Sequence, residues 1–220
     1  MIRPFGESAL LVELDGPQRA QAVAATLAAD PIVGVIEVVP ALRSVLVEID
    51  PGRSASEVLE GIEARLAAVA EHAPEGRRRT IPVVYGGDHG PDLDEVAALC
   101  GLTPRGVIEL HAASELRVLF DGFAPGFAYL GELPAELRVP RLATPRVRTP
   151  AGSVAIVDAM SGIYPAELPG GWRVIGRTPL TMFVPRRDPP AYLVAGDLVR
   201  FRPVQESDWA AHAGIADDWG

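Results

Sequence analysis

The order of apolar and polar residues in the first part of the chain predicts a small domain of alternating strands and helices. Three segments rich in valine, leucine and isoleucine predict strands: Ala9–Leu14, Val33–Val39 and Ser44–Ile49. Pro17–Ala29 and Ser54–His72 predict helices, and in the second the apolar residues fall on one face. This strand and helix order predicts an α+β domain over residues 1–78, with its helices on one side of an antiparallel sheet.

The pattern changes after three consecutive arginines that end at Arg79. Thr80–Tyr85 predicts a strand, and Leu93–Cys100 and Thr103–Ala112 predict short helices, the second capped by Thr103. Residues 116–203 then combine short strands with structured loops, which favours a mainly-β barrel domain over residues 79–204. The acidic tail, residues 205–220, carries two tryptophans. It is expected to be either a frayed end or a docking segment, and a frayed end is the default for a terminus.

Composition restricts the class of protein. In 220 residues, 48% are hydrophobic, and no apolar run is long enough to span a bilayer. The first residues lack the apolar core of a signal peptide, and the single Cys100 cannot form an internal disulfide, so a cytoplasmic location is expected. The net charge of −9 argues against a nucleic-acid partner.

All twenty basic residues are arginine, and the chain contains neither lysine nor asparagine. A phosphate-binding lysine, a Schiff-base lysine and a biotinylated lysine are therefore excluded. Binding of an anion has to use arginine, hydroxyl groups and backbone N–H groups. The four histidines lack the spacing of metal ligands, so no metal site is expected.

The segment from Phe120 to Leu180 contains eight glycines and eight prolines but keeps its apolar residues. This combination indicates ordered loops shaped around a ligand. Five arginines in or near these loops either surround an anion or are solvated surface residues: Arg141, Arg146, Arg148, Arg173 and Arg177. The aromatic residues there either line a pocket or fill the core. His111 is either a structural helix-terminal cation or a general acid or base.

Nine motifs, in order, resemble the KipI-type family, whose members are also called the B subunit of 5-oxoprolinase or, in older usage, allophanate hydrolase subunit 1. The motifs are Ile81–Gly87, Glu109–His111, Phe120–Gly131, Pro140–Arg146, Pro150–Val154, Gly162–Pro165, Pro169–Trp172, Ile175–Pro179 and the closing pair Ala195–Asp197 with Arg200–Pro203. Together they cover nearly the whole chain except the acidic tail.

The resemblance implies a cyclophilin-like β-barrel after the α+β domain, and an activity that requires other chains. Family members act with a KipA-type C subunit of similar barrel fold and with the A subunit of 5-oxoprolinase. The implied reaction is ATP-dependent hydrolysis of 5-oxo-L-proline to L-glutamate, with ATP and Mg²⁺ bound by the assembled complex. No biotin is attached to this chain. Two alternatives stay open: a regulatory inhibitor of a sensor histidine kinase, and a carboxyltransferase-like module of a biotin-dependent urea or amide carboxylase.

For such a reaction we assign catalytic roles to His111, Arg177 and Ser153, with His111 moving the proton. Backbone N–H groups of the Pro150–Ser153 and Pro169–Trp172 loops are expected to help bind the anion. The remaining predicted site residues bind the substrate or an anion. They are Phe123, Pro125, Gly126, Tyr129, Arg141, Arg146, Gly152, Tyr164, Gly170, Gly171 and Trp172.

Overall fold

The computed structural model describes residues 1–69 and 76–219. The chain divides into two compact units, Met1–Glu75 and Gly76–Gly220. This division falls close to the predicted boundary after Arg78, and the bounds of the predicted domains stay predictions.

The first unit is an antiparallel sheet of four strands. They are β1 (Ile2–Pro4), β2 (Ala9–Glu13), β3 (Val35–Pro40) and β4 (Ser44–Ile49), in the order β1-β2-β4-β3. Every second residue of the central strands is buried, including Leu10 and Val12 on β2 and Val45 and Val47 on β4. This alternation explains why the sequence predicts these strands. β1 was not predicted, because three residues are too few to show a pattern.

Two helices of the first unit, α1 (Pro17–Ala29) and α2 (Ala55–Leu66), contribute to the same hydrophobic cluster as the sheet. α1 has the predicted bounds. α2 ends at Leu66, and the predicted end at His72 lies outside the described residues. The hydroxyl of Ser54 contacts that of Ser56 at 2.6 Å and does not cap the helix backbone.

The described part of the second unit contains nine strands. They are β5 (Arg78–Tyr85), β6 (Glu115–Asp121), β7 (Ala128–Gly131), β8 (Arg146–Thr149), β9 (Ser153–Val157), β10 (Met160–Ile163), β11 (Leu168–Gly170), β12 (Arg173–Arg177) and β13 (Leu198–Pro203). Seven of them close a barrel in the order β10-β7-β6-β13-β5-β12-β9, and β8 and β11 form a separate pair. Only the β5–β13 pair among these described strands is parallel. The expected mainly-β barrel is therefore confirmed.

Helices α3 (Leu93–Cys100) and α4 (Pro104–Ala113) pack on the barrel through Val96, Ala97 and Val107. Thr103 caps α4 as predicted, since its hydroxyl accepts a hydrogen bond of 3.1 Å from the Gly106 N–H. A short helix, α5 (Trp209–His212), follows the last strand. Within the described residues, none of the helices has the length and apolar character that crossing a membrane requires.

The C-terminal segment is packed against the barrel, so the expectation of a frayed end is wrong for residues 205–219. Trp219 is 2% exposed and belongs to the barrel core, and its indole N–H donates to the Pro189 carbonyl at 2.8 Å. The Tyr192 hydroxyl donates to Asp218 at 2.8 Å. A large aromatic side chain near the end of a chain can anchor it as firmly as a strand does.

His111 is a fully buried member of the core. Its ring stacks on Phe201 with a centroid distance of 4.3 Å. The Ser161 hydroxyl donates to the Ala155 carbonyl, so it accepts from Nε2–H of His111 at 3.0 Å. Nδ1 is then an acceptor for the Tyr85 hydroxyl at 2.7 Å. Burial lowers the pKa of His111 to about 3 and raises the pKa of Tyr85, so the histidine is neutral and the tyrosine stays protonated.

The buried histidine predicts how stability depends on pH. Between pH 6.5 and about 3 the unfolded chain binds a proton at this histidine and the folded chain does not. The free energy of unfolding therefore falls as the pH is lowered, by up to about 1.4 kcal/mol per pH unit. We expect His111→Gln to lose this component, as measured by urea unfolding of both proteins from pH 7 to pH 4.5. Parallel curves for the two proteins would contradict the assignment of a neutral buried His111.

Candidate functional site

The candidate site lies on one face of two barrel strands that are buried on both faces. Along β9, Val154 and Ile156 belong to the large barrel core, whereas Ala155 and Val157 belong to a smaller aromatic cluster. Val174 of β12 joins the smaller cluster. The loops rich in glycine and proline cover this second face. These loops carry aromatic residues that pack on this face and are not part of the barrel core.

The loops enclose a cavity of about 90 Å³. It is lined by Phe123, Phe127, Tyr129, Arg141, Tyr164, Pro169, Gly170, Gly171 and Trp172. Seven of these nine residues were predicted as binding residues, and Phe127 and Pro169 were not. The structure therefore gathers half of the predicted site residues, which are separated by up to about fifty positions in the sequence, around one cavity.

The aromatic walls are held by edge-to-face contacts. Phe127 is the centre of this packing, with ring centroids 5.0 Å from Tyr129, 5.3 Å from Tyr164 and 5.6 Å from Trp172. Phe123 reaches Phe127 at 5.4 Å and is 59% exposed, so it stands at the mouth of the cavity. Distances of this size are typical of stabilising aromatic pairs, and they fix the shape of the walls.

The loop that carries Phe123 is held by its own backbone. The Phe127 N–H donates to the Ala124 carbonyl at 2.9 Å, and the Gly122 N–H donates to the Phe127 carbonyl at 3.2 Å. Gly126 has a φ of 82°, which its lack of a side chain allows. Phe123 also has a positive φ, 67°, at a cost of roughly 1–3 kcal/mol for a residue of this kind. The packed turn thus holds Phe123 in a strained conformation at the cavity mouth.

Tyr164 closes the inner end of the cavity against a glycine. A Cβ on Gly170 would lie 2.1 Å from the Tyr164 hydroxyl oxygen, so only glycine fits there. Burial raises the pKa of Tyr164, although the Trp172 backbone N–H and the charges of Arg141 and Arg146 act in the opposite direction. At neutral pH the hydroxyl is therefore a hydrogen-bond donor.

The cavity has one charged wall. Arg141 is exposed, and its guanidinium lies 5.9 Å from the centroid of the Trp172 ring. The other eight lining residues are uncharged. An aromatic cavity with a cation and no carboxylate in its lining is suited to a small planar ligand that carries a negative charge.

The Pro150–Ser153 loop uses its N–H groups internally. The Gly152 N–H donates to the Tyr164 carbonyl at 2.7 Å, and the Ser153 N–H donates to the Pro150 carbonyl at 3.2 Å. A Cβ on Gly152 would lie 2.2 Å from the Thr178 carbonyl oxygen, and its φ is 81°. The expectation that these N–H groups bind an anion is therefore wrong for Gly152 and Ser153, because both donors are occupied by protein carbonyls.

Arg177 lies near a different cavity. Its Nε donates to the Ala151 carbonyl at 2.7 Å, and its guanidinium lies 5.4 Å from the ring centroid of Trp209. The ring of His89 also stacks on Trp209, with a centroid distance of 4.8 Å. His89 lines a second cavity of about 380 Å³, formed by residues 84–89, Ile108 and residues 203–206. The predicted roles of Arg177 and Ser153 stay predictions.

The other predicted residues lie outside the lining of the aromatic cavity. His111 is in the barrel core with both ring nitrogens hydrogen-bonded, so no part of it is open to a ligand in this conformation. Pro125 is exposed, and Gly126 approaches Phe183. Arg146 is paired with Asp92 at 2.5 Å.

Phe127 and Pro169 line the cavity but were not predicted, and the structural contacts of Asp92 were missed as well. Phe127 directly precedes β7 and stands two residues before Tyr129, and both side chains belong to the aromatic cluster. The aromatic residue two positions before Tyr129 was therefore a signal that the sequence contained. Asp92 carried no such signal, because its role depends on contacts with Arg146 and Val174, which are distant in the sequence.

Similarity to known proteins identifies the family to which the chain belongs. A family model for the carboxyltransferase domain, subdomain C and D, matches residues 1–193. Two curated proteins, each named as the B subunit of 5-oxoprolinase, match almost the whole chain. The one from Escherichia coli O157:H7 is 43% identical over 209 residues, 92% of this chain and 95% of its own length. The one from Bacillus subtilis (strain 168) is 39% identical over 229 residues, 96% of this chain and 95% of its own length. The chain therefore belongs to this carboxyltransferase-domain family, as a relative of the 5-oxoprolinase B subunits, and the resemblance seen in the motifs is confirmed.

Solved structures show the same fold. The crystal structure of TTHA0988 matches with a TM-score of 0.79 and 34% identity, over 93% of this chain and 40% of that one. This chain thus spans less than half of that longer protein. The Kluyveromyces lactis urea carboxylase matches with a TM-score of 0.76 over 96% of this chain and 22% of that one. At 21% identity, this second likeness shows the fold alone.

Two adjacent glycines of the cavity give a matched test of its shape. Gly170→Ala puts a methyl group into the Tyr164 hydroxyl, whereas a Cβ on Gly171 meets its nearest atom, on Pro145, at an ordinary 3.6 Å. We expect Gly170→Ala to lower the free energy of unfolding by roughly 1–3 kcal/mol and to change the near-ultraviolet circular dichroism of the aromatic cluster. Gly171→Ala is expected to leave both almost unchanged. Equal effects of the two variants in chemical unfolding would contradict the close Tyr164–Gly170 packing.

Proposed function

We propose that this chain is the B subunit of a 5-oxoprolinase complex that hydrolyses 5-oxo-L-proline to L-glutamate with consumption of ATP. The observation that carries the proposal is near full-length similarity, at 43% and 39% identity, to two proteins named as 5-oxoprolinase B subunits. The proposal places the chain in a complex with the A subunit and a KipA-type C subunit.

The lining of the aromatic cavity matches the chemistry of this substrate. The molecule 5-oxoproline is a small five-membered lactam with one carboxylate, so it combines a flat ring with a negative charge. In our proposal the ring packs among Phe127, Tyr129 and Trp172, and Arg141 binds the carboxylate. The protonated Tyr164 hydroxyl donates to the amide oxygen. These residues bind and orient the lactam.

ATP and Mg²⁺ are assigned to the assembled complex. Among the described residues, no group of three or more histidines, cysteines, aspartates or glutamates could hold a metal ion. The chain also has no lysine for a nucleotide phosphate. We therefore derive no step of ATP chemistry from this chain. When bound, ATP would activate the amide by supplying a phosphoryl group to its oxygen.

A carboxyltransferase-like module is the second candidate function. The family description and the fold shared with urea carboxylase favour it. Because the chain has no lysine, a biotin substrate would have to arrive on another protein. Inhibition of a sensor histidine kinase stays a hypothesis without a supporting observation in the fold.

The proposal predicts that the complex loses its activity when this chain is left out. Reconstitution with the A and C subunits is expected to release L-glutamate from 5-oxoproline only when ATP and this chain are both present. The measurement is glutamate release together with phosphate release, with each component omitted in turn. Glutamate release that persists without this chain, or that is absent when all three components are folded and present, would refute the proposal.

A second prediction concerns the carboxylate site. Arg141→Gln removes the only charge in the cavity lining, so we expect KM for 5-oxoproline to rise by about tenfold to a hundredfold with a small change in kcat. Arg148→Gln is the control, because the Arg148 side chain is 76% exposed and its ion pair with Glu167 is long, at 3.6 Å. Steady-state kinetics of the reconstituted complex measure both. An unchanged KM in Arg141→Gln would remove Arg141 from the substrate site.

A further inference from the structure

Phe123 is the one bulky residue of the described chain whose backbone lies in the left-handed region. Among residues 1–69 and 76–219, two residues other than glycine have a positive φ, Phe123 at 67° and Asp158 at 46°. The short polar side chain of aspartate is among those that tolerate this region, whereas an aromatic side chain is an outlier there. The backbone preference of phenylalanine therefore does not explain the conformation of Phe123.

Phe123 is the central residue of a γ-turn. The Ala124 N–H donates to the Gly122 carbonyl at 2.8 Å, and a φ of 67° at the residue between them is typical of the rare, strained form of this turn. The turn that follows is anchored, because Gly126 has the positive φ of a type II turn and Phe127, which closes it, is 2% exposed. The anchored turn holds the backbone of Phe123 in its strained conformation.

Burial of the ring does not account for this strain, because Phe123 is 59% exposed. The ring meets Phe127 edge to face at 5.4 Å and lies 6.5 Å from the Tyr164 ring, and all three residues line the aromatic cavity. A phenylalanine that served the core alone would be buried in an unstrained conformation. Strain at an exposed residue in the lining of a cavity is instead typical of a ligand-binding position.

We infer that Phe123 is the specificity-determining residue of this cavity: the strained turn holds its ring over the mouth, where the ring covers the ligand and limits it to a small flat ring. Phe123 and Arg141 are both exposed lining residues, so a ligand whose carboxylate binds Arg141 has its ring beside Phe123. The cavity measures about 90 Å³, and in a closely packed pocket one added methylene changes binding by about tenfold or more. The ligand class is a five-membered cyclic amide with a carboxylate. This inference rests on the proposed function for the identity of that ligand.

Binding of two lactams to the isolated full chain tests this role. The probes are 5-oxo-L-proline and its six-membered homologue, 6-oxo-L-pipecolate, titrated by isothermal calorimetry into the wild type, Phe123→Ala and Phe123→Leu. We expect the wild type to bind the five-membered lactam about tenfold or more tightly than the six-membered one. Phe123→Ala is expected to bind 5-oxoproline about tenfold more weakly and to lose this preference, and Phe123→Leu to lie between the two. An unchanged preference in Phe123→Ala would overturn the inference.

A pair of variants separates the ring from the backbone strain. Phe123→Gly and Phe123→Ala both lack the ring, but glycine adopts a φ of 67° without strain and alanine does not. At an ordinary helix or strand position alanine is the more stabilising of the two. Here we expect the glycine variant to unfold at the higher urea concentration, with equally weak lactam binding in both. An alanine variant at least as stable as the glycine variant would show that the turn is not strained, which contradicts the inference.

Asp158 provides the matched control for strain, since it shares the positive φ and is not part of the cavity lining. Asp158→Gly is expected to be more stable than Asp158→Ala, and both are expected to bind the two lactams as the wild type does. If the Asp158 variants lose binding as Phe123→Ala does, altered turns in general weaken binding, and the specific role of the Phe123 ring is refuted.

The binding measurement distinguishes this inference from the proposed function. If the complex shows no 5-oxoprolinase activity but the lactam preference depends on Phe123, the inference stands and the proposed function fails. If the complex is active but the isolated chain binds neither lactam, the inference fails. Unchanged lactam binding in Phe123→Ala, with weaker association with the C subunit in analytical ultracentrifugation, would assign the ring to a protein interface and also overturn the inference.

Discussion

The double-sided burial of β9 is the constraint on which the second unit depends. One face of this strand contributes Val154 and Ile156 to the barrel core, and the other contributes Ala155 and Val157 to the aromatic cluster. A strand with two apolar faces cannot stay at the surface, so loops must cover the second face. The glycines and prolines of residues 122–172 give those loops their shape. The candidate site therefore forms where these loops bury the second hydrophobic face of β9.

The polar groups of the cavity follow from the same arrangement. Because the wall is aromatic, Tyr164 is desolvated and keeps its proton, and Arg141 remains at the exposed edge. Below the wall, Asp92 ties Arg146 to the backbone of β12. The carboxylates near the cavity are thus used to hold arginines and do not line it. This separation leaves the cavity positive in a chain whose net charge is −9.

The same fold occurs within larger proteins and as a separate polypeptide. The match to TTHA0988 uses 40% of that chain, and the match to urea carboxylase uses 22%. The curated 5-oxoprolinase B subunits, in contrast, are matched over 95% of their length. A shared fold does not fix a shared reaction. The proposed function therefore rests on the chemistry of the cavity and on the similarity to those B subunits. The fold explains only how the cavity is formed.

Local sequence determined the elements whose signals are contained within a few residues. Helix α1 and strand β4 have the predicted bounds, and Thr103 caps α4, because periodicity and capping depend on near neighbours. Seven of the fourteen predicted site residues line one cavity, and their roles there stay predictions. Tertiary structure alone decided the rest. His111, Trp219 and Asp92 each form hydrogen bonds with groups 26 to 54 positions away, and local patterns carry no information about such contacts.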